Sequence, residues 1–187
     1  SSNSYYMPPI SPHTSWLNLL DVAGPFLSPP VLKEAFPQGL PELEAGLRRD
    51  LRLAMEEWEE AHSALHEAWL RFVLTRVLDW PEQRLLRDAD IPANLRASAP
   101  EQGEVLRPDL VLINPATWTE RAGEARVLIC LYPREQSLES PVPGRQWKAS
   151  PATRMLELLH GAGVTLGLLS NGAQWMLVHA APGESAG

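Results

Sequence analysis

The sequence predicts an α/β protein: a mixed sheet of about four to five strands with flanking helices, preceded by a helical N-terminal arm. Three observations carry this expectation. Between Pro41 and Trp80, apolar residues recur at three- and four-residue steps, the period of an amphipathic helix. Two near-continuous apolar runs, Leu110–Ile113 and Val127–Leu131, have the composition of strands covered on both faces. A capped helix and an Asn-Gly turn then follow the second run.

Residues 1–40 form a Pro-rich arm, with Pro8-Pro9, Pro12, Pro25, Pro29-Pro30 and Pro37. This proline density permits only short helices, near 14–22 and 29–36. Trp16, Leu17, Leu19, Leu20, Phe26, Leu27 and Phe36 are too apolar for a free linker, so the arm is expected to pack on the body. Residues 41–80 form the helical segment. Leu43, Leu47, Leu51, Ala54, Met55 and Trp58 make one apolar series, and Pro41 suits a first helical turn. A second series, Leu65, Ala68, Trp69, Phe72, Val73, Val77 and Trp80, is offset in phase. The offset predicts a break at His62-Ser63 with Ser63 as N-cap, and Pro81 as the stop.

Residues 81–187 read as the α/β core, one compact domain together with 41–80. Residues 81–106 are polar and predict a loop with one short turn. The two apolar strands follow, joined by a loop from Asn114 to Gly123. An irregular insertion spans Pro133 to Lys148. Ser150-Pro151 opens a helix to His160, ended by Gly161 and Gly163. Val164–Ser170 and Gln174–Ala180 flank Asn171-Gly172 as a hairpin.

At 187 residues there is room for one full core and a helical extension. No apolar run is long enough to span a membrane, and no basic region followed by an apolar run marks a secretory signal. A single cysteine fits a reducing compartment, so a cytoplasmic location is expected. The net charge of −7 disfavours tight binding of phosphate backbones by the chain as a whole. Its 16 basic residues are all arginine except Lys33 and Lys148. A local arginine surface remains open, through Arg48, Arg49 and Arg52, or through Arg145 and Arg154.

Several catalytic patterns fail on inspection. Cys130 lies among aliphatic residues, where nothing would hold it as a thiolate. Gly167-Leu-Leu-Ser170-Asn-Gly172 is one residue too long for a nucleophile elbow and leads into a strand. His62 and His66 stand four apart on a helix, but Glu67 follows the second histidine, which breaks the zinc-protease order. Asn114-Pro115 continues with Ala116-Thr117 and does not complete an adenine-methylase motif. There is no glycine-rich phosphate loop. Of the seven tryptophans, Trp16, Trp58, Trp69, Trp80 and Trp175 fall at core-phase positions. Trp118 and Trp147 lie in loops and are the candidates for exposed contacts.

The order Arg107-Pro108-Asp109-Leu-Val-Leu-Ile113, then Val127-Leu-Ile-Cys130-Leu-Tyr132, then helix, then Gly167–Leu177, resembles the core of the PD-(D/E)xK nucleases. That fold is restriction-endonuclease-like. Its members need converging carboxylates on divalent cations and a lysine beside them. The resemblance places the first metal acid at Asp109 and a supporting acid at Glu67. At the next strand's acid and lysine positions the chain carries Cys130 and Tyr132. A thiol is a poor ligand for hard cations and tyrosine is normally neutral, so a non-cleaving pseudo-nuclease is expected. An active nuclease is the weaker alternative.

Asp21–Leu27, Val31–Leu40, Ser150–Leu159, Gly167–Gly172 and Ala181–Ser185, taken in order, resemble the N-terminal region of large restriction-modification DNA methylases, in particular the adenine methylase of DISARM anti-phage systems. The resemblance implies that this chain is the N-terminal part of a longer protein. A methyltransferase domain using S-adenosylmethionine would follow, and these residues hold neither its motifs nor a cofactor or metal site. It implies an accessory role, placing DNA or a defence-system subunit against the catalytic body, with Arg145 and Arg154 as DNA contacts. A pure protein–protein module is the alternative, which the acidic balance favours.

Overall fold

The computed structural model describes residues 4–5, 20–23, 44–61, 63–99, 101 and 103–180. Its centre is a five-strand mixed sheet in the order β3-β6-β7-β8-β9: Leu85–Arg87, Leu110–Ile113, Ala125–Leu131, Leu166–Ser170 and Trp175–His179. Only β7 and β8 are parallel neighbours among these five; β6 and β9 run against the other three. Two short strands, β1 (Ser4–Tyr5) and β2 (Leu20–Ala23), extend the β9 edge. A separate hairpin pairs β4 (Ala97–Ala99) with β5 (Glu104–Leu106).

Strand periodicity divides the interior into two cores. Val127 and Ile129 of β7 face one way, with Leu112, Leu166, Leu168, Trp175 and Leu177. The helices α1 (Ala45–Glu60) and α2 (His66–Phe72) cover that face through Leu51, Trp58, Trp69 and Leu70. Leu128 and Cys130 face the other way, against Met155, Leu158 and Leu159 of α3 (Pro151–Ala162). The β4–β5 hairpin closes this second core with Ala97 and Leu106. Successive β-strand side chains alternate between faces, and both faces are apolar, as the continuous runs required.

The helical layer departs from a single 3.6-residue period. A π-helical turn spans Val73–Val77, where the N–H of Leu78 donates to the carbonyl of Val73 at 2.9 Å. One extra residue in the turn rotates the face that follows. Leu74, inside that turn, is buried beside Val73, Val77 and Trp80; ahead of it Trp69 and Leu70 are buried while Leu65 and Ala68 are exposed. Ser63 does not cap α2: Leu65 is the N-cap residue and offers no side-chain hydrogen bond. Residues 81–106 are also corrected from loop to β3, β4 and β5, joined by single helical turns at Glu82–Arg84 and Asp88–Asp90. At the end of the expected 14–22 helix, Leu20–Ala23 is instead a strand paired with β9. The rest of that helix, and the 29–36 helix, lie outside the described residues.

The C-terminal half follows its local signals closely. Ser150 Oγ accepts the Thr153 N–H at 3.2 Å, Pro151 occupies the first turn and Gly163 closes α3 with φ 71°. Gly161 lies inside the helix, so Gly163 alone ends it. Asn171 Oδ1 accepts the N–H groups of Ala173 and Gln174, making a four-residue turn between β8 and β9.

Candidate functional site

Strand alternation brings the singled-out positions to one place. Cys130 and Tyr132 are two apart on β7 and its extension, so both side chains face α3. Asp109 precedes β6 in phase with Val111, which faces the same core. The pairing of Leu110 with Ile129 sets Asp109 alongside the end of β7. Its Oδ2 accepts the Leu131 N–H at 2.8 Å, between Cys130 and Tyr132. Together these residues line a cleft of about 400 Å³, whose other wall is Glu104, Val105 and Leu106 of β5. Glu67 is not among the lining residues. It is exposed on α2, on the opposite face of the sheet.

Burial controls the protonation of the floor. Desolvation pushes the Cys130 thiol up to about 12, and the nearby Asp109 charge adds to the effect. Tyr132 is likewise held well above its ordinary value, chiefly by burial. Both stay neutral near pH 7. Asp109 is raised by partial desolvation, which outweighs the opposing hydrogen bond from Leu131.

Arg154 is placed differently from a solvent-facing first-turn residue. It is buried to 9% exposure and donates through both terminal nitrogens to the two oxygens of Glu104. This bidentate pair holds Glu104 below the ordinary carboxylate range. Arg154 also shares the cleft with Tyr132, and its guanidinium carbon lies 5.7 Å from the centroid of Trp147. It pins α3 to β5. Arg145 is 57% exposed and touches Glu104 only loosely, Nε to Oε1 at 3.6 Å. Arg107, exposed beside Asp109, completes the cleft's cations and was not singled out by the sequence.

A family-model scan, a search of the curated proteins and a search of the solved structures each find no match.

The remaining candidates fall elsewhere. Trp118 is half-buried under Arg126, 4.2 Å from ring centroid to guanidinium carbon, at the far end of the β6–β7 hairpin. His66 accepts the Trp58 indole N–H at Nδ1, 3.1 Å, so its Nε2 carries the proton donated to the Tyr132 carbonyl at 2.9 Å. Trp58 stacks on Trp69, and Arg134 lies 4.4 Å over Trp58. These contacts make His66 a structural link between the helical layer and the cleft floor. Among the described residues no group of three His, Cys, Asp or Glu side chains could hold a metal ion, and no helix is long and apolar enough to cross a membrane.

Proposed function

We propose that this chain is a non-cleaving accessory domain of a host-defence DNA adenine methyltransferase of the restriction-modification, DISARM-like kind. Its core is a degenerate PD-(D/E)xK domain with the restriction-endonuclease-like fold, and it positions DNA or a partner subunit. One observation carries this reading. Asp109, Cys130 and Tyr132, separated by 20 residues of chain, meet on one sheet face in one cleft rimmed by arginines. The positions resemble a nuclease site, whereas two of the three side chains cannot serve its metal chemistry. The mixed sheet with helices on both faces supports the same fold.

The test is direct. Plasmid DNA incubated with the chain and magnesium or manganese should stay intact, while a duplex should bind weakly with steep salt dependence. Specific cutting abolished by Asp109→Ala would overturn the pseudo-nuclease reading. S-adenosylmethionine belongs to the methyltransferase part of the proposed parent, so calorimetry with this segment should show no uptake. A low-micromolar dissociation constant would contradict the assignment.

A second reading, a protein-interaction module within a defence complex, is favoured by the net charge of −7. It predicts that Arg145→Glu abolishes a subunit contact and leaves DNA affinity unchanged.

A further inference from the structure

We propose that the cleft takes a DNA phosphodiester oxyanion directly on Arg107 and Arg145, with no bridging divalent cation. This rests on the DNA-positioning reading and names the chemistry of that same site.

The donor set argues against a cation. A hard divalent ion takes about six oxygen ligands, usually including carboxylates. Cys130 and Tyr132 supply a thiol and a phenol, both kept protonated by their burial. Glu104 has both oxygens engaged by Arg154. Asp109 commits one oxygen to the Leu131 N–H, which leaves a single carboxylate oxygen for the cleft.

The charge balance argues for an anion. Arg154 and Glu104 cancel as a bidentate pair at the wall. What remains is Arg107 and Arg145 against Asp109, a local positive excess in a chain of net charge −7. Arg145 can leave its loose contact with Glu104 at little cost, since it is 57% exposed. Arg107 makes no ion pair among the described residues. Tyr132 lines the floor of the same cleft as a neutral phenol, whose O–H can donate to an oxyanion there. A cleft of about 400 Å³ admits a phosphodiester with its flanking sugars. Guanidinium groups are suited to phosphate oxygens by their planar fork of donors.

The experiment measures binding of a short duplex to the full chain by anisotropy, in EDTA and in magnesium at matched ionic strength. Affinity should be the same within twofold in both. Arg107→Gln with Arg145→Gln should lower it at least tenfold and reduce the salt slope by about 2, the loss of two phosphate contacts. Arg48→Gln with Arg49→Gln, an equal charge change on α1, should leave it within twofold of the unsubstituted chain. In parallel, a dinucleoside monophosphate titration followed by NMR should shift the Leu131 amide and the two arginine side chains. Duplex binding that requires magnesium, or that survives loss of both arginines, overturns the inference and leaves the DNA reading standing. Dinucleotide binding at the arginines without any duplex binding keeps a metal-free phosphodiester site on Arg107 and Arg145 but removes the DNA-positioning reading and DNA as its ligand. Failure of both probes removes both.

Discussion

Asp109 and Leu131 are joined by a 2.8 Å hydrogen bond from the Leu131 N–H to Oδ2, across the point where β6 enters the sheet and β7 leaves it. The Asp109 carboxylate thus accepts a backbone bond where the two strands part. Asp109→Ala should therefore lower stability by about 0.5–1 kcal/mol, the net worth of one solvent-accessible hydrogen bond. Asp109→Asn, which keeps the acceptor, should recover most of the loss in chemical denaturation. An alanine variant as stable as the parent would show that the bond carries no weight.

The reciprocal substitution tests the floor. Cys130→Glu with Tyr132→Lys introduces, at the end of β7, the acid and lysine that are missing on the proposed nuclease-like reading. Cys130 is buried against the second core at the cleft floor and Tyr132 is half-buried beside it, so two new charges there cost several kcal/mol unless they pair with each other or with the cleft's charged groups. The thermal midpoint should fall sharply, with at most weak manganese binding. Strong metal-dependent cleavage by this variant would show that the scaffold needs only those two groups.

Glu104 and Arg154 set a pH dependence. The folded carboxyl of Glu104 lies below its ordinary value of 4.5, so the folded state binds that proton more weakly than the unfolded chain. The stability it contributes is fully present above about pH 4.5 and is lost as pH falls through the lowered folded value. Glu104→Gln should flatten this acid limb of the midpoint-versus-pH curve. Asp109 acts in the opposite sense: raised above 3.8, its contribution is lost as pH rises through the folded value. Arg154→Met, which leaves Glu104 without its main partner, should cost about 3 kcal/mol at pH 7. A loss under 1 kcal/mol would mean that Arg145 takes over the pairing.

Gly172 is fixed by the helices rather than by its turn alone. Its φ is +90°, and an added Cβ would lie 2.7 Å from Trp58 Cζ2 and 3.0 Å from His66 Cε1. Its carbonyl accepts the Trp69 indole N–H at 2.7 Å. Gly172→Ala should destabilise by about 2 kcal/mol and shift the tryptophan emission, because both backbone strain and a ring collision oppose it. An unchanged emission and midpoint would contradict this packing.

What the sequence disclosed followed from signals a few residues long. Ser150, Pro151 and Gly163 announced α3, Asn171-Gly172 announced the β8–β9 turn, and the apolar runs announced β6 and β7. Three-residue strands such as Leu85–Arg87 and Glu104–Leu106 are too short for a two-residue period to register, so that region read as loop. The π-turn at Val73–Val77 shifted the apolar phase inside one helix, which hid Leu74. The site was legible where spacing defines it, at Asp109, Cys130 and Tyr132. The burial of Arg154 was not, because its partner Glu104 lies 50 positions away on a strand that gave no signal. Arg107 had only its place beside Pro108-Asp109 to mark it.

Tyr132 is gripped from both sides of the sheet. His66 holds its carbonyl from the helical layer, and the Tyr132 ring packs against the core on the α3 side. The residue works as a rivet through three layers, placed at one corner of the molecule. Slippage of either outer layer must pivot about that corner, so slow opening should begin at the distant Asn114–Glu124 end. Backbone amides near Tyr132 would then be among the last to exchange with solvent. Whatever the cleft binds, it meets a floor tied to the helical layer through Tyr132, while Arg145 on the wall is free to move toward it.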